Sequence, residues 1–462
     1  MPLTRRAFLR QTSLLLAGLG MSETAWAQYI RQYQQALAEP TSRKLALLVG
    51  INPYDRAALP PLKGCTTDLE LQRELLKHRF GFHDRDILLL QDGQATRSQI
   101  ESAYTDHLLN QAQSGDMVLF HFSGYGRYLR RQPPTDLQAP SQADHLYPAL
   151  VPAPALSQTA ALSLPEEGDL SLETLISWLR ALRTDRITTV LDTGFVYPGS
   201  PLLGHLRVRS LPAAMLPWEG AVKPLSTRPP GVMLTAATAS QTAMEAQWHD
   251  FAAGLFTYAL TQQLWQSTPA TSLAVHFNAV ATALAHQVGV DTPFEWQGVQ
   301  QKSHLQLSYG LPMGPPADGV VQATADTGAP ATLWLAGLAP EVLEQSELTS
   351  CFQVLPPAPG EGTPTQPATI SLPPTAVTPI RSHGSGPTYV RVQSHRGPKA
   401  MGTLLNPGQL QVGQRLQEAI RILPHSIVLN VALDPNLDRI ERVDATSAFS
   451  EWSQIAPVVS GE

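Results

Sequence analysis

Cysteine is nearly absent from this chain: two in 462 residues, Cys65 and Cys351, which fall in different predicted domains, so no disulfide framework is implied. Charge is sparse as well, at 15% of residues. The formal net charge of -6 comes with no basic run after the N-terminal region, which offers no support for nucleic acid as a partner. No apolar run reaches the roughly 20 residues that a membrane-spanning helix needs, and Leu14 to Met21 near the N terminus is too short. What the chain does have is 43% hydrophobic residues and 40 prolines, the latter gathered in loops and in the last third. This composition fits a globular core, and the length allows two domains.

Residues 1–27 are expected to be a Tat-type signal peptide. A twin arginine, Arg5 and Arg6, is followed by Phe8-Leu9, a moderately apolar stretch and a small-residue site at Ala25-Trp26-Ala27, with cleavage after Ala27. The mature product is then expected in a bacterial periplasm or an equivalent lumen, with no membrane span of its own.

Along the rest of the chain, β and α signals alternate as an α/β sheet requires. Strands are predicted at Leu45 to Val49, Asp86 to Leu90, Met117 to Phe122, Arg186 to Leu191, Gly231 to Ala236 and His304 to Ser308. A helix is expected after Asp68, over Leu69 to Arg79. The clearest helix is Arg97 to Gln113, where Ile100, Ala103, Tyr104, His107 and Leu108 recur at helical spacing and Thr96 with Gln99 makes a capping box. Asp169 can cap the next helix, whose buried stripe is Leu172, Leu175, Ile176 and Leu179.

Two apolar strands end in polar, glycine-containing turns: VLFHFSGYG (Val118 to Gly126) and ITTVLDTGF (Ile187 to Phe195). In an open α/β sheet the carboxyl ends of parallel strands converge on one crevice, which is where chemistry belongs. Together with the GC-x-x-D turn at Gly64, Cys65 and Asp68 and the stretch GVMLTAATASQTAMEA (Gly231 to Ala246), these endings resemble, in order and content, the caspase-like domain of metacaspases and bacterial orthocaspases. The resemblance covers residues 43–309 and implies a three-layer αβα sandwich around a mostly parallel sheet.

It also implies a degenerate site. Where the family carries S-G-H-G, this chain has Ser123-Gly124-Tyr125-Gly126, and where the family carries its nucleophilic cysteine after Asp-Cys, this chain has Gly194. Covalent cleavage needs an ionisable nucleophile and a base, and glycine offers neither. A tyrosine with a reference pKa of about 10 is a poor base at neutral pH. By the same resemblance, the pocket for Arg or Lys is kept, lined by Cys65, Asp68, Ser123 and Asp192. Two carboxylates in a desolvated crevice repel each other, and a guanidinium would relieve that repulsion.

Blander roles suit the same residues. Asp68 and Asp192 can each cap a helix, Cys65 can be a small buried residue, His121 can be a structural histidine inside an apolar strand, and Tyr125 can fill the space of the missing imidazole. The triplet Asp192-Thr193-Gly194 also spells the motif of aspartic proteases, but that mechanism needs two carboxylates delivered by two β-rich lobes or a dimer, and here the triplet follows a strand of a predicted α/β sheet. The loop Arg131 to Ala155 lacks the acidic pair of the family's loop, so calcium activation is not expected to carry over, and no metal or other cofactor is implied.

Residues 310–387 read as a Pro-rich linker with a strand near 331–335, and residues 388–462 as a small α+β domain with strands at Thr388 to Gln393 and Ser426 to Ala432 and a helix-like run from Val412 to Leu423. Leu437 to Arg442 reads as a solvated helix face. Two functions remain open on these residues. One is an exported pseudo-peptidase that binds peptides or proteins with exposed Arg or Lys. The other is an active cysteine-type endopeptidase using non-family residues, such as Cys65 with a histidine brought in by folding.

Overall fold

In the computed structural model, the apolar runs at the heart of the sequence become strands buried on both faces. The structure describes residues 43–54, 60–131, 145–154, 168–203, 206–216, 229–237, 241–268, 295–298, 314–324, 329–345, 350–356, 387–406, 408–421, 429–433, 438–450 and 455–459. The expected signal peptide, the strand at His304 to Ser308 and most of the loop Arg131 to Ala155 lie outside these residues.

The first part of the chain runs β1 (Lys44–Gly50), α1 (Cys65–Phe80), β2 (Ile87–Gln91), α2 (Arg97–Ala103), β3 (Met117–Ser123), β4 (Gly126–Arg131), β5 (His145–Leu150), β6 (Leu170–Ser171), α3 (Leu172–Ala181) and β7 (Ile187–Asp192). There follow β8 (Leu202–Leu203), β9 (Leu206–Val208), β10 (Ala214–Leu216), β11 (Val232–Thr235), β12 (Met244–Gln247), β13 (Ala252–Gly254), α4 (Leu255–Trp265) and β14 (Glu295–Gly298). Six strands form the main sheet in the order β14-β11-β7-β3-β1-β2, parallel throughout except for the antiparallel edge strand β14, which the sequence did not suggest.

Alternation of side chains along β1 divides the core in two. Ala46 and Leu48 join Leu119, Val190 and Leu234 under α1 and α4, whereas Leu45, Leu47 and Val49 join Phe120, Phe122 and Leu191 under α2 and α3. The result is the αβα sandwich with a mostly parallel sheet. Thr96 caps α2 by accepting from the Gln99 N–H, and the helix continues through a wider turn to Leu109. Asp169 does not cap α3. Ser171 does, accepting from the Thr174 N–H, while Asp169 is held by Arg127 at 2.6 Å; Asp169 lies two residues too early to reach the first-turn donors.

Beyond β14 come β15 (Gly319–Ala323), β16 (Ala331–Trp334), α5 (Pro340–Gln345), β17 (Cys351–Val354), β18 (Tyr389–Arg396), β19 (Lys399–Leu404), β20 (Arg415–Ile420), β21 (Leu429–Leu433), α6 (Arg439–Ser450) and β22 (Ile455–Val459). This corrects the linker: β15, β16 and β17 close with β18 to β20 into a six-stranded barrel, so the C-terminal α+β region begins near residue 319 and not at 388. The three early strands are only four or five residues long and stand between prolines, but they bury Val320, Leu333, Trp334 and Phe352. The helix-like run from Val412 is also corrected, to strand β20. Val412, Leu416 and Ile420 share a helical spacing, but pairing with β15 and β17 overrides it. The barrel shares its core with the α1 and α4 layer. It is further tied there by Arg79, which donates to Ser267 O at 2.6 Å and Pro315 O at 2.7 Å, and by the Tyr258 hydroxyl, which donates to Leu338 O at 2.9 Å.

Candidate functional site

The sheet register sets the site. Gly50, Ser123 and Asp192, the last residues of β1, β3 and β7, are paired side by side, so the three strand ends open on one spot. Two helix N termini converge there, that of α1 through Gly64 and that of α4 through Gly254. A helix N terminus carries unpaired N–H groups and partial positive charge, which favours carboxylates. Asp68 sits inside the first turn of α1, not at its cap, and accepts from the Gly254 N–H at 2.9 Å and the Ser123 hydroxyl at 2.9 Å. Asp192 accepts from the N–H of Thr257 at 2.9 Å and its hydroxyl at 2.6 Å. It therefore caps α4, a distant helix, rather than whatever follows its own strand.

Cys65, Asp68, Ser123 and Asp192 are brought together, all 0% exposed, around a group that the sequence did not point to. The guanidinium of Arg209 lies among them, itself 0% exposed, with Nη1 at 2.7 Å from Asp68 Oδ2, 3.2 Å from Asp192 Oδ1 and 3.4 Å from Ser123 Oγ. Its Nη2 donates to Glu245 Oε2 at 3.1 Å. Glu245 was also missed as a site residue. Its carboxylate accepts from the N–H groups of Lys63 at 2.9 Å and Gly64 at 3.1 Å, which orients the start of α1. The sequence signal for both was faint: Glu245 lies in the stretch Gly231 to Ala246, and Arg209 is one of two alternating arginines in LRVRS.

Charge in this crevice is unbalanced: three buried carboxylates face one buried guanidinium, with the partly exposed Arg207 3.7 Å from Glu245 at the rim. Burial disfavours the Arg209 charge, but Asp192 and Asp68 more than offset it and hold its pKa well above the ordinary value. Burial pushes Asp68 the other way, up to about 7, against the pull of Arg209 and with the help of Asp192. A carboxylate whose pKa is raised on folding binds a proton that the unfolded chain, with a reference value of about 3.9, has already lost. Its contribution to stability is therefore complete below about pH 4 and disappears as the pH rises through 7. We expect the unfolding free energy of the wild type to carry a downward slope of up to about 1.4 kcal/mol per pH unit from this residue between pH 5 and 7. Denaturant titrations of wild type and Asp68→Asn across that range check it, and equal slopes in the two proteins contradict it.

Positions 125 and 194, where the resemblance would place a catalytic pair, are filled or closed. Tyr125 is buried, its hydroxyl donates to Pro60 O at 2.8 Å, its N–H donates to the Tyr54 hydroxyl at 2.9 Å, and the two rings pack at 5.1 Å. Burial pushes the Tyr125 hydroxyl above its ordinary pKa, so it keeps its proton. Gly194 stands against β12: a Cβ there would lie 2.8 Å from the Ala243 nitrogen, closer than real side chains approach. Cys65 is buried, and burial raises its thiol well above the ordinary value despite Arg209 nearby.

A histidine does lie in the crevice. His121 Nε2 is 3.0 Å from Ser123 Oγ. The serine, however, gives its own proton to Asp68 and accepts from Arg209, so the imidazole nitrogen facing it is a donor rather than a base. Burial, and then the Arg209 charge, pull His121 down to about 3. Its Nδ1 is buried without a partner.

The backbone around Arg209 is held as closely as its side chain. Its N–H donates to Ala243 O at 2.8 Å, and its carbonyl accepts from the N–H of Gly194 at 3.0 Å and that of Gly126 at 3.3 Å. Leu211 N–H then donates to Gly126 O at 2.8 Å.

Comparison with known proteins agrees with this architecture. Residues 43–306, more than half of the chain, match the Peptidase_C14 caspase-domain family. The chain is 34% identical over 95 residues to Metacaspase-1 of Meyerozyma guilliermondii, covering 20% of this chain and 23% of that protein. It is 39% identical over 88 residues to Metacaspase-7 of Arabidopsis thaliana, covering 18% and 21%. The chain thus spans less than a quarter of the length of these curated relatives. Among solved structures, it is similar to protein GSU0716 of Geobacter sulfurreducens, with a TM-score of 0.39, 16% identity, 58% of this chain and 99% of that one covered. For caspase-1 of Spodoptera frugiperda the values are 0.33, 10%, 57% and 92%. Strand ends, crevice and matched region coincide, and the chain belongs to the caspase-domain family, Peptidase_C14.

Proposed function

We propose that this protein is an exported caspase-domain protein that recognises an arginine-type side chain without cutting the chain that carries it. The observation that carries this reading is the state of position 194. No nucleophile stands there, and Ala243 leaves no room for one, while the paired position 125 holds a buried, hydrogen-bonded phenol. Recognition of a basic group is supported by the three carboxylates and the serine hydroxyl that meet in one desolvated place. A partner with an exposed Arg or Lys would enter only where Arg209 is withdrawn, by taking over the contacts that Arg209 makes. The twin arginine at Arg5 and Arg6 and the Ala25-Trp26-Ala27 site support export to a periplasm or equivalent lumen.

A second reading, an endopeptidase with non-family residues, is favoured by one observation, the 3.0 Å approach of His121 to Ser123. The low pKa of that imidazole and the full burial of both residues oppose it. The two are separated by incubating the exported protein, expected to begin at Gln28, with Arg- and Lys-containing peptides. We expect no turnover above buffer. Cleavage that is lost in Asp192→Ala, or blocked by a thiol-alkylating reagent or in Ser123→Ala, overturns the non-hydrolytic reading.

A further inference from the structure

The segment Leu206–Leu211 is laid into the crevice as a bound peptide would be. Strand β9 pairs antiparallel with β12, with Met244 opposite Val208 and Glu245 opposite Arg207. Addition of an extended segment to a sheet edge is a common mode of peptide recognition, in which backbone bonds give affinity and a side-chain pocket gives specificity. The chain then continues along the groove with the Arg209 N–H on Ala243 O, and Ser210 bridges in parallel to Gly126. At Arg209 the side chain drops into the pocket of Asp68, Ser123, Asp192 and Glu245, while its carbonyl accepts from the N–H groups of Gly194 and Gly126. A carbonyl held by two convergent backbone donors is the geometry that polarises an acyl group for attack. Here one of the donors is the N–H of the residue whose side chain is missing, so the carbonyl is presented to a place with no attacking atom.

We infer that Leu206–Leu211 is a built-in pseudosubstrate: Arg209 is the resident ligand of the basic-side-chain pocket, and the Arg209–Ser210 peptide bond is the one presented, uncut, at the degenerate centre. The inference rests on the reading of this crevice as a pocket for a basic side chain, and it adds that the native protein is closed to outside arginine. A buried arginine kept for structure alone explains the ion pairs but not the capture of its own carbonyl by both glycine N–H groups.

The test uses two variants of the full chain. Arg209→Ala empties the pocket, and we expect its melting temperature to fall and then to rise with millimolar ethylguanidinium but not with equal ethylammonium, while the wild type responds to neither. If Arg209→Ala is recovered unfolded, the same comparison is made on refolding yield. The second variant replaces Leu206–Leu211 with Gly and Ser and is titrated with the labelled peptide LRVRSL and with LRVASL. At least tenfold tighter binding of the arginine peptide is expected, with no binding to the wild type. Equal affinity for the two peptides, wild-type binding of LRVRSL, or guanidinium rescue no greater than ammonium rescue overturns the inference. None of these outcomes bears on peptide turnover, so the pseudosubstrate can fail while the non-hydrolytic reading stands, and turnover can appear whatever the variants bind.

Discussion

Arg209→Met is expected to lower the unfolding free energy by about 3 to 5 kcal/mol, the range seen when one member of a buried ion-pair network is removed. The reason is less the loss of attraction than what is left behind. Asp68, Asp192 and Glu245 remain buried within reach of one another, and the buried guanidinium that touches all three is gone. Methionine replaces much of the aliphatic volume, so a large cavity is not the cause. The effect is therefore expected to be strongly non-additive: Asp68→Asn placed in the Arg209→Met background removes one of the stranded carboxylates and should recover roughly 1 to 2 kcal/mol, whereas in the wild type at neutral pH it recovers none. A double-mutant cycle by urea unfolding measures this coupling. Additive effects would show that the carboxylates do not sense Arg209.

The sequence made the strands and the crevice readable because both are local. Continuous apolar runs such as Met117 to Phe122 and Arg186 to Leu191 have one good use in an α/β protein, as central parallel strands, and their last residues then fall at one edge. Ser123, Asp192 and the first turn of α1 with Asp68 follow from that. The absence of a nucleophile at 194 was readable from residue type alone. Arg209 was not, because nothing within LRVRS says that one arginine is fully buried while Arg207 two residues earlier lies partly exposed at the rim, 3.7 Å from Glu245. That distinction is made by β12, which fixes where the segment lies, and by carboxylates 141 and 17 residues away in sequence. The four residues expected to line a pocket for a partner's basic group are thus brought together around an arginine of the chain itself, which the sequence did not single out. The barrel was hidden for a different reason. Its first three strands are short and stand between prolines, and apart from the β15–β16 pair their partners lie beyond the segment from Pro356 to Pro379, so composition outweighed pattern.

Gly254→Ala is the second change with a large expected effect, and it separates lack of space from lack of backbone freedom. Gly254 has φ -64° and ψ 130°, a conformation open to any residue, so alanine brings no backbone strain. Its added methyl, however, would enter the space held by the Asp192 carboxylate and the Arg209 guanidinium. Neither can yield freely: Asp192 is bound to both donors of Thr257, and Arg209 is held by Asp68 and Glu245. Overpacking in an apolar core typically costs about 1 to 3 kcal/mol. Here the displaced groups are charged and buried, so parting them adds the penalty of an unpaired charge and the loss should exceed about 3 kcal/mol. Gly93→Ala is the matched control, since nothing lies within 4 Å of a methyl there, and it should stay within about 0.5 kcal/mol of the wild type. Urea unfolding of the two variants decides the point. If Gly254→Ala is as stable as the control, then the crevice has slack, and the close grip on Arg209 that both the closed pocket and the pseudosubstrate require is not a property of the folded protein.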